Sequence, residues 1–298
     1  MLKNLIAIIF SIVSFSVFAN DELLVHSPWP VGSTPDNVCR TLFKTYSQET
    51  GINHVIITSP GADGMISHRA FNNSQRPGLF CSGKAPILNA ALSKDIAPPV
   101  DNLKFVTTVI NQSWFLYTPL KGAASIDELV KNSKSSGKPI IYGSTSNLQT
   151  KMMSGLFDKL GVKYEAVIYR KLSDAMSDLA DARLDLYVEG GTFNQHTNRR
   201  WQEIAHVGTK KNISTTENLF NRWPEMKYWQ GTIVIYARND MPNKDVELLN
   251  QQLRKVIMGA EMAAFFNNTS PYHEVRATSL DEGQQVMKSW IKFFNAQQ

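Results

Sequence analysis

The residues most suited to chemistry stand in a loop that reads PWPVGSTPD, at positions 28–36, directly after the apolar run LLVHS. Three prolines stiffen this loop, while Gly32, Ser33 and Thr34 are small enough for a ligand to approach the backbone closely. Asp36 can cap the predicted helix that follows, and free amides at a helix N-terminus attract carboxylate or phosphate groups. The loop is therefore either a plain turn between strand and helix or part of an anion cradle.

A second loop of similar composition, SPGADGM at positions 59–65, follows the next predicted strand. Ligands of open α/β sheets bind beyond the carboxyl ends of the strands, and loops on neighbouring parallel strands open at the same edge. Either loop alone reads as an ordinary turn, but the pair favours a binding site. The residues predicted to contact a ligand here are Trp29, Val31, Gly32, Ser33, Thr34, Asp36, Gly61, Ala62, Asp63 and Gly64.

A third loop, YGSTSNLQT at positions 142–150, also follows a predicted strand and precedes a predicted helix. It offers four consecutive hydroxyl or amide side chains. One of them must cap the helix, which leaves others for a ligand. The predicted contacts in this loop are Ser144, Ser146, Asn147 and Thr150.

The elements around these loops alternate between strand-like and helix-like segments, which predicts an α/β fold built from βαβ units with a mostly parallel sheet. Predicted strands lie at 23–27, 55–58, 79–82, 115–118, 139–143, 166–169, 184–188 and 232–237. Predicted helices lie at 37–49, 64–73, 148–160, 174–182 and 280–295. The pattern S-x-x-E at Ser125 and Ser279 marks two further helix starts.

Two of these strands, 115–118 and 232–237, stand where the pattern of elements changes. A complete α/β unit lies between them, and the first unit and the C-terminal helices lie outside them. The chain is therefore predicted to cross into a second domain and return, which creates a hinge and an interdomain cleft. We assign residues 20–116 and 237–298 to domain I and residues 117–236 to domain II.

The first nineteen residues have the pattern of a cleavable secretory signal peptide. Lys3 precedes an apolar run from Leu5 to Phe18, and Ala19 ends a cleavage motif. The run is short for a membrane span, and an uncleaved anchor is the alternative. We therefore expect export, most simply to a bacterial periplasm.

The composition is that of a globular protein, with 43% hydrophobic and 19% charged residues and a net charge of +5. Basic residues are scattered and form no stripe with interleaved aromatics, so nucleic acid is not an expected partner. The positive charge favours anions only weakly and at long range.

The two cysteines, Cys39 and Cys81, both fall in the predicted first domain. Export permits a disulfide between them. Two separately buried thiols remain the alternative, because free cysteine is a good core residue.

The two first-domain loops resemble those of the substrate-binding proteins of tripartite tricarboxylate transporters, the Bug or TctC-like family. That family's first loop reads approximately P-F-x-P-G-G-x-x-D with an arginine four residues on, and its second reads N-x-P-G-A-x-G. The matching positions here are Pro28, Trp29, Gly32, Asp36, Arg40, Pro60, Gly61, Ala62 and Gly64. Further similarity extends over nearly the whole chain after the signal peptide, at Tyr142, Ser144, 167–171, 184–189 and 229–231.

The resemblance implies a type II periplasmic binding-protein fold, in which two α/β domains joined by a double-crossing hinge close around a ligand cleft. It implies that amides of the first two loops hold a carboxylate of a small organic acid, often a di- or tricarboxylate and sometimes an aromatic or amino acid. The second domain reads the rest of the ligand. The implied partners are that small carboxylate and the inner-membrane permease subunits of a tripartite tricarboxylate transporter.

The chain also departs from the family pattern. Ser33 stands in place of a second glycine, and Pro35 is inserted into a polar stretch. Tyr169 and Glu189 fall near the predicted cleft and complete the predicted contacts. Each has an alternative: a tyrosine at a strand end is as often a packing residue. Glu189 repels a carboxylate unless it meets a ligand ammonium or takes up a proton, and it can equally be a solvated rim acid.

Other classes of function have weaker signals. No G-x-S-x-G, H-E-x-x-H, P-loop or G-x-G-x-x-G pattern occurs in the sequence, which argues against an enzyme. We expect no cofactor and no metal, and a monomer. A sensory protein that signals to a membrane histidine kinase would need the same closing cleft, so that alternative stays open.

Overall fold

The chain folds into two mixed β-sheets flanked by helices. The computed structural model describes residues 22–144, 147–169, 171–191, 194 and 198–296, so the predicted signal peptide and Ser146 lie outside the described residues. The strands are β1 (Leu23–Ser27), β2 (His54–Thr58), β3 (Gly78–Ser82), β4 (Leu103–Asn111), β5 (Trp114–Pro119), β6 (Ile140–Ser144), β7 (Tyr164–Ile168), β8 (Leu186–Glu189), β9 (Trp201–Val207), β10 (Glu217–Asn218), β11 (Thr232–Arg238) and β12 (Glu274–Val275).

The helices cover the faces of these sheets. They are α1 (Thr34–Thr50), α2 (Met65–Asn72), α3 (Ala85–Leu92), α4 (Ile126–Ser136), α5 (Asn147–Leu160), α6 (Leu172–Ala180), α7 (Leu219–Arg222), α8 (Asn243–Ile257), α9 (Ala260–Thr269) and α10 (Leu280–Asn295). Short 3-10 helices span Ala62–Gly64 and Pro224–Tyr228.

The first sheet has the order β12-β4-β11-β3-β1-β2, and the second has the order β10-β9-β5-β8-β6-β7. In the first, β1, β2 and β3 run parallel, while β11 is antiparallel to both of its neighbours. In the second, β6, β7 and β8 run parallel, while β5 is antiparallel to both of its neighbours. The sheets are thus mixed rather than simply parallel, because each receives an antiparallel strand that arrives from the other sheet, and the short β12 is also antiparallel to β4.

Those two arriving strands mark the crossings. Only Gln112 and Ser113 separate β4 in the first sheet from β5 in the second. The return runs through α7 and the second 3-10 helix to β11. The predicted limits at 116/117 and 236/237 fall inside β5 and β11, so the change of sheet lies a few residues earlier in both cases. The reason is that each crossing strand pairs along its full length with its new sheet.

Helix starts follow local capping. The Ser33 hydroxyl accepts the amide of Asp36 at 3.4 Å, so α1 begins three residues before the predicted start. Pro35 is compatible with this start, since the first turn of a helix needs no internal amide donor. The capping serines at 125 and 279 accept the amides of Glu128 and Glu282, as the S-x-x-E pattern predicts.

The first sheet is buried on both faces. One face packs on α1, α8 and α9, and the other on α2, α3 and α10. Cys39 of α1 and Cys81 of β3 lie in the first of these cores and form a disulfide, with their Cα atoms 6.3 Å apart. The bond ties the helix that follows the first loop to a central strand.

Candidate ligand-binding site

The two first-domain loops lie side by side at the carboxyl ends of β1 and β2. The last residues of these strands, Ser27 and Thr58, are paired in register. The amide of Ser59 continues the ladder by donating to the carbonyl of Ser27 at 3.0 Å. Across the loops, a Cβ placed on Gly64 would lie 3.4 Å from Cβ of Pro28. The structure therefore brings together the pair of loops that the sequence singled out.

Besides the amide of Asp36, which Ser33 caps, two amides near the apex of the first loop are bonded within it. The amide of Gly32 donates to Oδ2 of Asp36 at 2.9 Å, and the amide of Ser33 donates to the carbonyl of Pro30 at 3.1 Å. Among the described residues, no acceptor faces the amides of Val31 and Thr34. The backbone donors that this loop can offer a ligand are thus the amides at 31 and 34.

Asp36 lies beneath the loop rather than on its surface. It is fully buried, and its Oδ2 accepts Nε of Arg40 at 2.8 Å in addition to the Gly32 amide. The same arginine donates to the hydroxyl of Thr58 at 3.1 Å. The predicted ligand contact of Asp36 stays a prediction. In the structure its carboxylate supports the loop, because Arg40 one helical turn later draws it inward.

The second loop has an unusual backbone. Gly61, Ala62, Asp63 and Gly64 all have positive φ, at 119°, 46°, 51° and 89°. Their first three carbonyls accept from the amide of Gly64 at 3.0 Å, the amide of Met65 and the side chain of Asn89 at 3.0 Å. Within the described residues, the amides of Gly61 and Ala62 meet no acceptor. Both residues are exposed, so this loop presents amides outward while its carbonyls are satisfied inward.

The two larger side chains of the first loop differ in position. Val31 is 74% exposed at the apex. Trp29 is half-buried and packs against the core shared by β1, β3 and α1. Its Cζ2 would lie 3.7 Å from a Cβ on Gly83, the residue after β3. Trp29 thus packs the first loop against the end of β3. Val31 is exposed and accessible to a ligand.

In the second sheet, Ser144 ends β6 and Thr150 lies in the first turn of α5. The buried hydroxyl of Ser144 donates to Oε1 of Gln149 at 2.8 Å, and Nε2 of Gln149 donates to the carbonyl of Val188 at 3.0 Å. Ser144 therefore joins β6, α5 and β8 at one edge. Asn147 begins α5, but its side chain, like all of Ser146, lies outside the described part of the chain.

Tyr169 and Glu189 follow the same sheet edge. The Tyr169 hydroxyl donates to Oδ2 of Asp178 on α6 at 2.6 Å, which fits the packing interpretation, and its ligand contact stays a prediction. Burial and the Asp178 carboxylate raise the pKa of Tyr169. Oε1 of Glu189 accepts the amide of Gly191 at 2.8 Å, and its charge adds to burial in raising the pKa of Tyr187.

A third loop lies on the same edge of the first sheet, the Ser-Gly-Lys turn that follows β3, and no pattern in the sequence predicted it. Lys84 is 4% exposed, and its ammonium donates to the carbonyl of Tyr228 at 2.8 Å and stands 5.0 Å from the ring of Trp290. Burial lowers the pKa of Lys84 to about 7. A Cβ on Gly83 would come within 2.6 Å of the carbonyl of Thr232, so β3 and β11 meet closely there.

Two properties of the described residues bound the chemistry. They contain no group of three His, Cys, Asp or Glu side chains placed to hold a metal ion. None of the helices in the described part of the chain has the length and apolar character needed to cross a bilayer.

No protein-family model matches the chain, and no curated protein is similar enough in sequence to count as a relative. Solved structures are similar over nearly all of it. The periplasmic binding protein BugD matches with a TM-score of 0.75 and 17% identity, covering 92% of this chain and 97% of its own. MatC from Rhodopseudomonas palustris with bound malate matches with a TM-score of 0.78 and 13% identity, covering 94% and 99%. An R. palustris structure with adipate matches with a TM-score of 0.78 and 15% identity, covering 94% and 96%.

These likenesses confirm the predicted fold. The chain is an α/β protein with the type II periplasmic binding-protein architecture, and structures of the Bug and TctC type are among its structural neighbours. At such low sequence identities the likeness extends to the fold alone.

Proposed function

We propose that this chain is an exported solute-binding protein of the Bug or TctC type, which captures a small carboxylate in the periplasm. The observation that carries the proposal is the set of four backbone amides at 31, 34, 61 and 62, which have no acceptor among the described residues. They stand on adjacent loops at the carboxyl ends of two parallel strands, where α/β sheets bind ligands. Outward amides and a helix N-terminus suit a carboxylate oxygen.

The two sheets supply the two halves of the site. The loops after β1 and β2 hold one carboxylate, and the edge formed by Ser144, α5 and Glu189 contacts the remainder. The chain passes from the first sheet to the second before β5 and returns before β11. This double crossing acts as the hinge for closure around the ligand. The malate and adipate bound by two structurally similar proteins support a small organic acid as the ligand class. The bound molecule is then released to the permease of a tripartite tricarboxylate-type transporter.

A ligand screen tests capture directly. The protein is refolded from denaturant to remove carried-over ligand, and thermal unfolding is followed with malate, succinate, adipate, citrate, benzoate and acidic amino acids. The matched controls are the neutral diamides of the same dicarboxylates, which keep the shape and lose the charge. A ligand at one hundred times its Kd stabilises the folded state by about 2.7 kcal/mol. No shift with any carboxylate at millimolar concentration would refute the proposal.

Delivery of the ligand to a permease is tested separately, by the identity of the neighbouring genes. A gene for a large, many-spanning permease beside this one favours uptake. A lone histidine kinase there would favour sensing and would contradict the proposed partner.

A further inference from the structure

The second loop holds a backbone conformation that its own sequence does not favour. Ala62 and Asp63 have φ of 46° and 51°, in the left-handed region that L-residues avoid because Cβ crowds the following carbonyl. Two such residues in succession persist only where surrounding groups hold them. A group outside the loop must therefore help to hold this conformation.

The hydrogen bonds of the loop carbonyls identify that group. Those of Gly61 and Ala62 accept amides from within the turn, at Gly64 and Met65. The carbonyl of Asp63 instead accepts Nδ2 of Asn89 at 3.0 Å, from helix α3 and twenty-six residues further along the chain. Asn89 is 4% exposed, so its amide group is held by the packed helix and does not exchange this partner for water.

We propose that Asn89 is the positioning residue of the anion site. It fixes the carbonyl of Asp63 inward, and the left-handed turn then keeps the amides of Gly61 and Ala62 outward, toward a ligand carboxylate. Without this donor, the carbonyl of Asp63 loses its hydrogen bond to helix α3, and the turn relaxes toward ordinary φ values. The outward amides would then have to be ordered again by each ligand, which weakens binding. This inference rests on the proposed function for its ligand, but not for its effect on the loop.

The test uses substitutions that remove the side-chain donor at residue 89 and keep the volume of that side chain. Asn89→Leu and the isosteric Asn89→Asp are compared with the wild type. Ser93→Ala serves as the matched control, because it lies at the C-cap of the same helix and keeps the backbone amide that donates to the carbonyl of Asn89. We expect the affinity for the best carboxylate of the screen to fall at least tenfold in both variants at 89 and to stay unchanged in the control. The second variant keeps the test decisive if the first folds poorly.

A readout on the free protein separates positioning from general damage. The amides of Gly64 and Met65 donate within the turn, so their hydrogen exchange reports whether it is formed. Exchange at these two amides should rise at least tenfold in the variants at 89, while amides in β1 and β3 keep their wild-type rates. Equal exchange in wild type and variants would overturn the inference.

A rescue variant tests the strain itself. Ala62→Gly removes the Cβ that makes the left-handed conformation costly. Added to Asn89→Leu, it should recover about fivefold of the lost affinity. Absence of recovery together with unchanged exchange would contradict the inference.

If the wild type binds no carboxylate, the proposed function fails, while the exchange rates still decide the role of Asn89. If exchange rises but affinity does not fall, the turn is not the anion site.

Discussion

Thr34 offers a backbone amide at the first position of α1, and none of the described residues accepts it. We expect Thr34→Pro to remove this donor and leave the helix intact, because proline is favoured at that position. The preceding Ser33 already has the extended conformation that a following proline requires, with ψ of 157°. Loss of a hydrogen bond to a charged ligand oxygen costs about 1.5–3 kcal/mol, or roughly tenfold or more in Kd by calorimetry.

Thr34→Ala is the matched control, since it removes the hydroxyl and keeps the amide. If both variants bind the carboxylate equally well, the amide at 34 does not contact the ligand.

His68 makes a second prediction at this scale, on acid stability. Its ring is 1% exposed, stacks on Phe80 at 5.5 Å and has no hydrogen-bond partner among the described residues. Burial, with a smaller effect of Arg69, lowers the pKa of His68 to about 4. Between pH 6.5 and 4 the unfolded chain binds a proton that the folded chain does not, so stability falls as pH drops through this window. The loss attributable to this residue is about 3 kcal/mol.

Urea unfolding of wild type and His68→Leu at pH 7.5, 5.5 and 4 measures that loss. The leucine variant should show a shallower fall, because its side chain cannot titrate. The same dependence of unfolding free energy on pH in both proteins would show that His68 does not titrate in this window.

How far the site could be predicted differs from residue to residue. Pro28, Gly32 and Gly61 punctuate the sequence, so the loops themselves were predictable. The inward turn of Asp36 had a signal, since Arg40 stands at the spacing of a helical ion pair. Asn89 had none, because its acceptor lies far away in sequence and only the packed fold brings the two together.

At the scale of elements, the disulfide links α1 to β3 and closes a loop with a sequence separation of 42. We expect the double variant Cys39→Ala with Cys81→Ala to be destabilised by about 4 kcal/mol, chiefly because the unfolded chain regains freedom. Urea unfolding measures the change, and thiol titration of the denatured wild type is the control. Two free thiols in the unreduced wild type would contradict the bond.

Elements whose ends are marked by proline, glycine or a capping residue could be predicted from the sequence, and elements without such residues could not. β1 and α10 lie where expected, since a proline-rich loop ends the first and a capping serine begins the second. Helix α3, with the sequence APILNAAL, was missed because a short apolar run suits a strand or a buried helix equally. The antiparallel strands of the two sheets could not be predicted from the alternation of strands and helices, since the direction of a crossing strand depends on which sheet it enters.

At the scale of the whole molecule, the proposed mechanism is a population shift. A ligand that bridges both sheet edges favours the closed form only by its difference in affinity between the open and closed forms. Trp229 lies between the two halves, with its ring against Phe293 and Phe294 of α10 and 3.3 Å from a Cβ position on Gly155 of α5. Such contacts beside the crossings can persist while the opposite rim opens, because β2 and β7 are the edge strands farthest from β4 and β5.

That geometry predicts a ligand-dependent distance between the rims. Ile66 on α2 and Ile168 at the end of β7 are 47% and 44% exposed, so cysteines placed there can carry spin labels without entering a core. The labels should approach each other by several ångströms when the carboxylate binds, as measured by pulsed dipolar spectroscopy, because hinge closure brings the two edges together. A second pair, Ile66→Cys with Ile96→Cys, lies within the first unit, and its distance should not change. An unchanged distance between 66 and 168 at saturating ligand would mean that capture occurs without closure.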